Sequence, residues 1–236
     1  MWSGPRNIST ALMRSFENRP DCSVVDEPFY ACYLHKTGLD HPGREDVLAS
    51  QSIDAVSVIR SLNQPLAPGI SLQYEKHMAH HFLPGMPSDW FQSRHHCILL
   101  RDPEAVIASY IKTRPTVTLE DIGILQLQGL FKKITNERGE APLVVDSDDL
   151  LQNPAGMLQA ICNHIGIEFL PAMLSWPSGK RDSDGVWAPW WYERVEASTG
   201  FEVRPPFDGE LDAKWQNIAE QAADIHQQLA RHRIRI

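Results

Sequence analysis

The chain has 236 residues, 42% of them hydrophobic, and its 22 Lys+Arg against 30 Asp+Glu give a net charge of −8. That length and apolar content support a globular fold with a real core and exclude a disordered chain. No apolar run approaches the roughly 20 residues of a membrane span, so no membrane partner is expected. An acidic chain is also poorly suited to nucleic acid, whose binding rests on phosphate neutralisation. Any polyanionic ligand must therefore meet locally placed cations. Residues 1–7 carry no basic-then-apolar leader, so no secretory signal is expected. Cys22, Cys32, Cys97 and Cys162 form no CxxC pair. They read as free thiols in a reducing compartment, which predicts a cytoplasmic protein.

Strand and helix signals alternate along the chain. Residues 9–18 read as a helix after a short loop, and 22–26 as a β-branched strand. Residues 44–62 read as one helix, with Leu48, Ile53, Val56, Ile59 and Leu62 near one face. Residues 70–74 alternate as a strand, and 96–100 form a continuous apolar strand of the buried parallel type. Asp102-Pro103 then opens a helix, with Asp as N-cap and Pro at the first helical position. Thr118 with Asp121 three residues on predicts a capping box at the next helix start. Residues 143–146 form another buried-type strand, Asn153-Pro154 repeats the cap-plus-Pro start, and Gly166 ends that helix. Residues 171–209 are irregular and rich in Trp and Pro. A final helix over 210–233 carries Leu211, Trp215, Ile218, Ala222, Ile225 and Leu229 as an apolar seam. The expected architecture is one α/β domain over residues 1–236, with a mainly parallel sheet flanked by helices on both faces.

Two segments could carry chemistry. Ser3-Gly4-Pro5-Arg6-Asn7-Ile8-Ser9-Thr10 runs straight into a helix. A loop with Gly, a cation and paired hydroxyls at a helix N-terminus suits an anion, because free N–H groups and the helix dipole meet there. It departs from the GxxxxGK[ST] nucleoside-triphosphate motif, since Ser9-Thr10-Ala11 stands where Gly-Lys-Ser/Thr is required. The second segment is Cys97-Ile98-Leu99-Leu100-Arg101-Asp102-Pro103, followed by Ser109. Arg101 ends a strand, and parallel sheets bind ligands beyond the carboxyl ends of their strands. A surface pairing of Arg101 with Asp102 or Glu104 is the alternative.

Together these segments resemble the PAPS-dependent sulfotransferases, proteins of the P-loop type of fold. Pro5-Arg6-Asn7-Ile8-Ser9-Thr10 is similar to the family's 5′-phosphosulfate loop. Leu100-Arg101-Asp102-Pro103 with Ser109 is similar to its 3′-phosphate motif. Asp148-Asp149-Leu150-Leu151-Gln152-Asn153-Pro154, with Leu158, Cys162 and Gly166-Ile167, resembles a third family segment. The resemblance is closest to a small sulfotransferase-like branch. It implies a cytosolic transferase that moves a sulfuryl group from PAPS, as donor substrate, to a hydroxyl or amine of a small-molecule acceptor.

What the resemblance implies is residue-specific. Arg6 would hold the 5′-phosphate and the bridging oxygen. Gly4, Pro5, Asn7, Ile8, Ser9 and Thr10 would cradle the phosphosulfate, and Arg101 and Ser109 would grip the 3′-phosphate. Lys180 and Arg181 would correspond to a later cofactor contact. No metal is expected. Glu27, after the strand ending at Asp26, corresponds to a catalytic base; strand alternation places the Asp26 and Glu27 side chains on opposite sides. A His among His77, His80 and His81 is the alternative base, with His81 carried as the candidate. A zinc reading of His77 and His81 lacks a third ligand. Trp187-Ala188-Pro189-Trp190-Trp191-Tyr192 could shape an acceptor pocket or pack a loop over the core.

The family's buried strand ahead of the loop is nearly absent here, because the chain opens Met1-Trp2-Ser3-Gly4. A late start, a truncation and a sheet closing over the gap all remain open. An exposed flank would also invite self-association into a homodimer, a second partner beside the small-molecule acceptor. Two rival functions also stay open: a Mg-dependent P-loop kinase or NTPase, and a non-catalytic nucleotide-binding or interaction module.

Overall fold

The computed structural model describes every residue except Thr113, Pro115, Arg204 and Pro206. In chain order the elements are β1 (Trp2–Ser3), α1 (Ser9–Glu17), β2 (Cys22–Asp26), α2 (Tyr30–Thr37), α3 (Arg44–Ser50), α4 (Ala55–Leu62), β3 (Leu72–Met78), β4 (Cys97–Leu100), α5 (Pro103–Tyr110), α6 (Ile124–Arg138), β5 (Leu143–Asp146), α7 (Ser147–Gln152), α8 (Pro154–Ile165), α9 (Ala188–Trp191), α10 (Glu193–Ala197) and α11 (Ala213–Ala230). The fold is α/β, and all strand pairings described below are parallel. Arg204 and Pro206, within the irregular 171–209 segment, lie outside the described residues.

The chain divides into two compact units. The first comprises Met1–Ile8, Phe91–Phe169 and Glu202–Ile236. In it β4 pairs with β1 on one side, Trp2 opposite Ile98 and Ser3 opposite Leu99. On its other side β4 pairs with β5, from Cys97 opposite Leu143 to Leu100 opposite Asp146. The first strand is thus present as two residues, and Trp2 is anchored in the core. Its indole N–H donates to His96 Nδ1 at 3.0 Å, and His96 Nε2 faces the Phe91 carbonyl oxygen at 3.1 Å. Ile98, Leu99, Val144 and Val145 have no exposed surface, which is why both strands read as continuous apolar runs. The seam of α11 packs against α5, α6 and β5, with Trp215, Ala222 and Leu229 buried. Beyond it the Ile234 N–H donates to the Val144 carbonyl, and Arg233 forms an isolated parallel bridge to Val144. That bridge occupies backbone of β5 which would otherwise be open to self-pairing.

The second unit comprises Ser9–Trp90 and Leu170–Phe201. Here β2 and β3 pair from Cys22 opposite Leu72 to Asp26 opposite Lys76, with α1 packed against both strands. Tyr30, Ala31, Leu34, Val47, Trp187, Ala188 and Tyr192 form a buried cluster.

Local signals that satisfy their own hydrogen bonds appear as expected. Asp102 Oδ1 accepts from the Ala105 N–H at 2.9 Å, and Asn153 Oδ1 from the Gly156 N–H at 3.0 Å. Gly166 ends α8 with φ 75°. Asn153→Ala should cost about 1 kcal/mol and lower Tm by roughly 2–4 °C in a thermal melt.

Four expectations need correction. Residues 44–62 form two helices, because Gln51 turns extended and Asp54 caps a new start, accepting from the Ser57 N–H at 2.9 Å. The Thr118–Asp121 capping box forms but closes only a turn. Gly123, at φ 74°, leaves the helical region there, and α6 starts at Ile124. The strand expected at 70–74 runs on to Met78, which places Lys76 and His77 within β3. The final helix is shorter than 210–233, spanning Ala213–Ala230.

Candidate functional site

In the first unit the loop after β1 and the end of β4 converge. Gly4 passes the Ile122 carbonyl so closely that a Cβ there would lie 2.5 Å from its oxygen, so only glycine fits without backbone movement. Asn7 fastens the loop to the strand. Its Nδ2 donates to the Leu99 carbonyl at 3.0 Å, and its Oδ1 accepts from the Ile8 N–H at 2.8 Å. The Ile8 side chain is buried. Arg6 Nε donates to Ser109 Oγ at 3.2 Å and its terminal nitrogen to the Ser109 carbonyl at 3.2 Å. Arg101 donates to the Arg6 carbonyl oxygen.

Three residues expected to grip anions, 103 positions apart at the extremes of Arg6 and Ser109, thus meet in one hydrogen-bonded group. Asp102 turns away to cap α5, so its own carboxylate is occupied there. A small cleft of about 20 Å³ is lined by Gly4, Pro5, Asn7, Arg101 and the apolar Leu99, Val106, Ile122 and Leu127. Arg101 also acts on Asp148, whose carboxyl is pushed up by burial and then by Asp146, with Arg101 opposing. Ser9 and Thr10 open α1, whose first turn holds no acidic side chain. Helix geometry leaves its leading N–H groups without intrahelical acceptors.

In the second unit a buried network surrounds Glu27. Lys76 Nζ donates to Asp26 Oδ1 at 2.9 Å, Glu27 Oε1 at 2.5 Å and the Tyr192 hydroxyl at 2.6 Å. The Tyr192 hydroxyl donates to Asp26 Oδ2 at 2.6 Å and accepts from Trp187 Nε1 at 3.2 Å. Alternation was expected to separate Asp26 from Glu27, yet both carboxylates reach one ammonium. The reason is that β2 ends at Asp26 and Glu27 adopts φ 43°, which swings its side chain back. The turn is held by the Glu27 N–H donating to the Lys76 carbonyl and by Tyr30 N–H and Gln51 Nε2 donating to the Glu27 carbonyl.

Arg6, with φ 59°, and Glu27 are the two non-glycine residues of left-handed backbone among the described residues. Such conformations cost on the order of 1–3 kcal/mol and gather at functional sites. Burial first, and then the neighbouring Asp26 charge, push the Glu27 carboxyl up to about 7 against the pull of Lys76. Lys76 is held charged, its pKa raised above the usual value by Asp26 and Glu27 despite burial. His81 Nδ1 lies 3.7 Å from Glu27 Oε2. Its ring stacks on Tyr30 at 4.3 Å and on Tyr33 at 4.9 Å. Burial, then His80, His41, Lys76 and His77, keep His81 well below the ordinary imidazole range and therefore neutral. His77 is engaged elsewhere, with Nε2 3.1 Å from Glu75 Oε2.

Lys180 is exposed, while Arg181 folds onto the Pro177 carbonyl at 2.9 Å. Their loop is pinned by Asp184, which accepts from the Arg181 N–H at 2.8 Å and from the buried Arg14 at 2.7 Å. The Trp-rich segment splits in role: Trp187 and Tyr192 are core, whereas Trp190 and Trp191 are 44% and 37% exposed. Lys76 and the link from Tyr192 to Asp26 were not legible as parts of this network. Among the described residues no group of three His, Cys, Asp or Glu side chains could hold a metal ion. The four cysteines form no disulfide among the described residues, and burial pushes the Cys22 and Cys97 thiols up to about 12.

The left-handed Arg6 in the loop leading into α1 is hydrogen-bonded by Arg101 at the carboxyl end of the parallel strand β4, in an α/β fold. A profile of the sulfotransferase domain matches residues 1–227, and the chain belongs to that family. It is 32% identical over 232 residues to branched-chain-amino-acid aminotransferase-like protein 2 of Arabidopsis thaliana, covering 98% of this chain and 41% of that protein. Aminotransferase-like protein 1 of the same plant is 34% identical over 231 residues, with the same two coverages. The chain therefore spans about two fifths of the length of these relatives. In structure it is similar to a sulfotransferase from Alicyclobacillus acidocaldarius, with TM-score 0.61, 13% identity, and 100% and 95% of the two chains covered. The sulfotransferase domain from the curacin biosynthetic pathway gives 0.53, 14% identity, and 94% and 95%. Both likenesses bear on the fold. No helix among the described residues is long and apolar enough to cross a membrane.

Proposed function

We propose that the chain is a cytoplasmic transferase that moves a sulfuryl group from PAPS, its donor substrate, to a hydroxyl or amine of a small-molecule acceptor. The observation that carries this reading is the hydrogen-bonded group of Arg6, Ser109 and Arg101 beside the loop, within a chain of the sulfotransferase-domain family. Two guanidinium groups and a hydroxyl suit a nucleotide with phosphate at both ends. In this reading Arg101 and Ser109 take the 3′-phosphate. Arg6, with the N–H groups and hydroxyls of Ser9 and Thr10, takes the phosphosulfate. Gly4, Pro5 and Asn7 shape the loop. Ile8 contributes by anchoring it, since its N–H is already held by Asn7. Lys180 and Arg181 supply further positive charge.

The reaction forms a bond from the acceptor oxygen or nitrogen to sulfur and breaks the bond from sulfur to the bridging oxygen. The electron pair leaves with adenosine 3′,5′-bisphosphate (PAP), and the acceptor proton passes to a base. Glu27 is that base, with a carboxyl poised near neutrality, and His81 is the neutral group beside it.

Thermal shift with PAP, PAPS, ATP–Mg and AMP side by side tests the donor class without knowledge of the acceptor. PAP and PAPS should raise Tm by several degrees at concentrations where AMP does little. Stabilisation by ATP–Mg alone would favour a kinase or NTPase. Binding without sulfation of any hydroxyl acceptor would favour a non-catalytic module.

A further inference from the structure

Two buried carboxylates share one ammonium in the second unit, and hydrogen-bond saturation separates them. Lys76 has three N–H donors, and all three are used, on Asp26, Glu27 and Tyr192. The Tyr192 hydroxyl has one proton and two acceptor positions, and these are filled by Asp26, Lys76 and Trp187. Asp26 thereby accepts from Lys76 on one oxygen and from Tyr192 on the other, with the Gly185 N–H at 3.3 Å as a third donor. Among the described residues the Glu27 carboxylate accepts from Lys76 alone, on Oε1. Its Oε2 faces His81 Nδ1 at 3.7 Å, beyond hydrogen-bond reach. Like charges this close cannot both be ionised at little cost, so the better-solvated one keeps the charge.

We propose that Tyr192 is a positioning residue that makes Glu27, rather than Asp26, the carboxylate that accepts a proton. The assignment rests on Glu27 being the base of the proposed transfer, but the selection itself is a property of the network. The groups facing Glu27 are Asp26 from β2, Lys76 from β3, His81 from the turn after β3, and Tyr192 through Lys76. His80, His41 and His77 stand behind His81. Tyr192 donates its only proton to Asp26, so removing that hydroxyl takes away one of the donors that favour the Asp26 anion. The proton then moves toward Asp26, and Lys76 is left to stabilise the Glu27 anion.

The test is a titration of side-chain carboxyl ¹³C shifts in protein labelled at Glu and Asp, with Glu27→Gln and Asp26→Asn for assignment. In the native protein the signal titrating near neutral pH should vanish in Glu27→Gln. In Tyr192→Phe the Glu27 midpoint should fall by about one unit or more. A Glu27 midpoint unmoved in a folded Tyr192→Phe protein overturns the proposal. Should that variant fail to fold, Asp26→Asn reads the same coupling: the Glu27 midpoint should fall there too, and an unchanged one overturns the proposal. These shifts do not depend on turnover. If Glu27 is not the base, Tyr192→Phe leaves the acid limb of kcat/KM in place while the carboxyl midpoint still moves.

Discussion

Replacing Arg101 by alanine is expected to weaken PAP binding by about 100-fold or more while leaving Tm nearly unchanged. Arg101 ends a strand whose core side chains precede it, and it is half-buried, so its loss opens no cavity. What it loses is a charge-assisted contact to phosphate and the bond that steadies the Arg6 carbonyl. Removing one partner of such a pair costs roughly 2–5 kcal/mol, which is a factor of 30 to several thousand in affinity. Calorimetric titration with PAP measures the effect. Undiminished affinity in the variant would remove Arg101 from the donor site. Ser109→Ala should lose less, about tenfold, since a neutral hydroxyl contributes a weaker bond.

Glu27→Gln should lower kcat by about 10²–10⁴-fold and leave PAP affinity as it was. Gln keeps the size and an acceptor oxygen for Lys76 but cannot take a proton. In the native protein kcat/KM should rise with pH through about 7, as Glu27 loses its proton, and that limb should be absent from the variant. A variant that stays active and keeps the limb would pass the role to His81, which His81→Asn then tests.

The same group makes stability depend on pH. Its folded pKa, about 7, lies above the ordinary 4.5, so the folded state binds more protons between these values. Stability from Glu27 is full below about pH 4.5 and is lost as pH rises through about 7, a change on the order of 3 kcal/mol. Denaturant melts across that range should show the decline in the native protein and a flatter profile in Glu27→Gln.

Elements with self-contained signals were legible. The strand at 22–26, the apolar strands β4 and β5, and the caps at Asp102 and Asn153 rest on neighbours within a few residues. So does the loop from β1 into α1, where Gly4, Arg6 and the helix start are contiguous. Where the reading failed, a distant partner decided. Gln51 leaves its helix and bonds both the Ala31 N–H and the Glu27 carbonyl, splitting a pattern that looked continuous. Tyr192 reaches Asp26 across 166 positions, and Arg14 reaches Asp184 across 170.

Composition and charge by themselves determined an acidic globular chain that has to meet any anion through local cations, and the alternation of strand and helix signals determined its α/β class. Arg6, Arg101 and Ser109 were named through the resemblance of two short motifs, and the structure joins them by hydrogen bonds across 95 and 103 positions. Only the tertiary structure brought Lys76 and Tyr192 to Asp26 and Glu27. The physical reason is burial: a carboxyl's proton affinity depends on which donors surround it once water is excluded, and those donors come from strands and loops far apart in sequence.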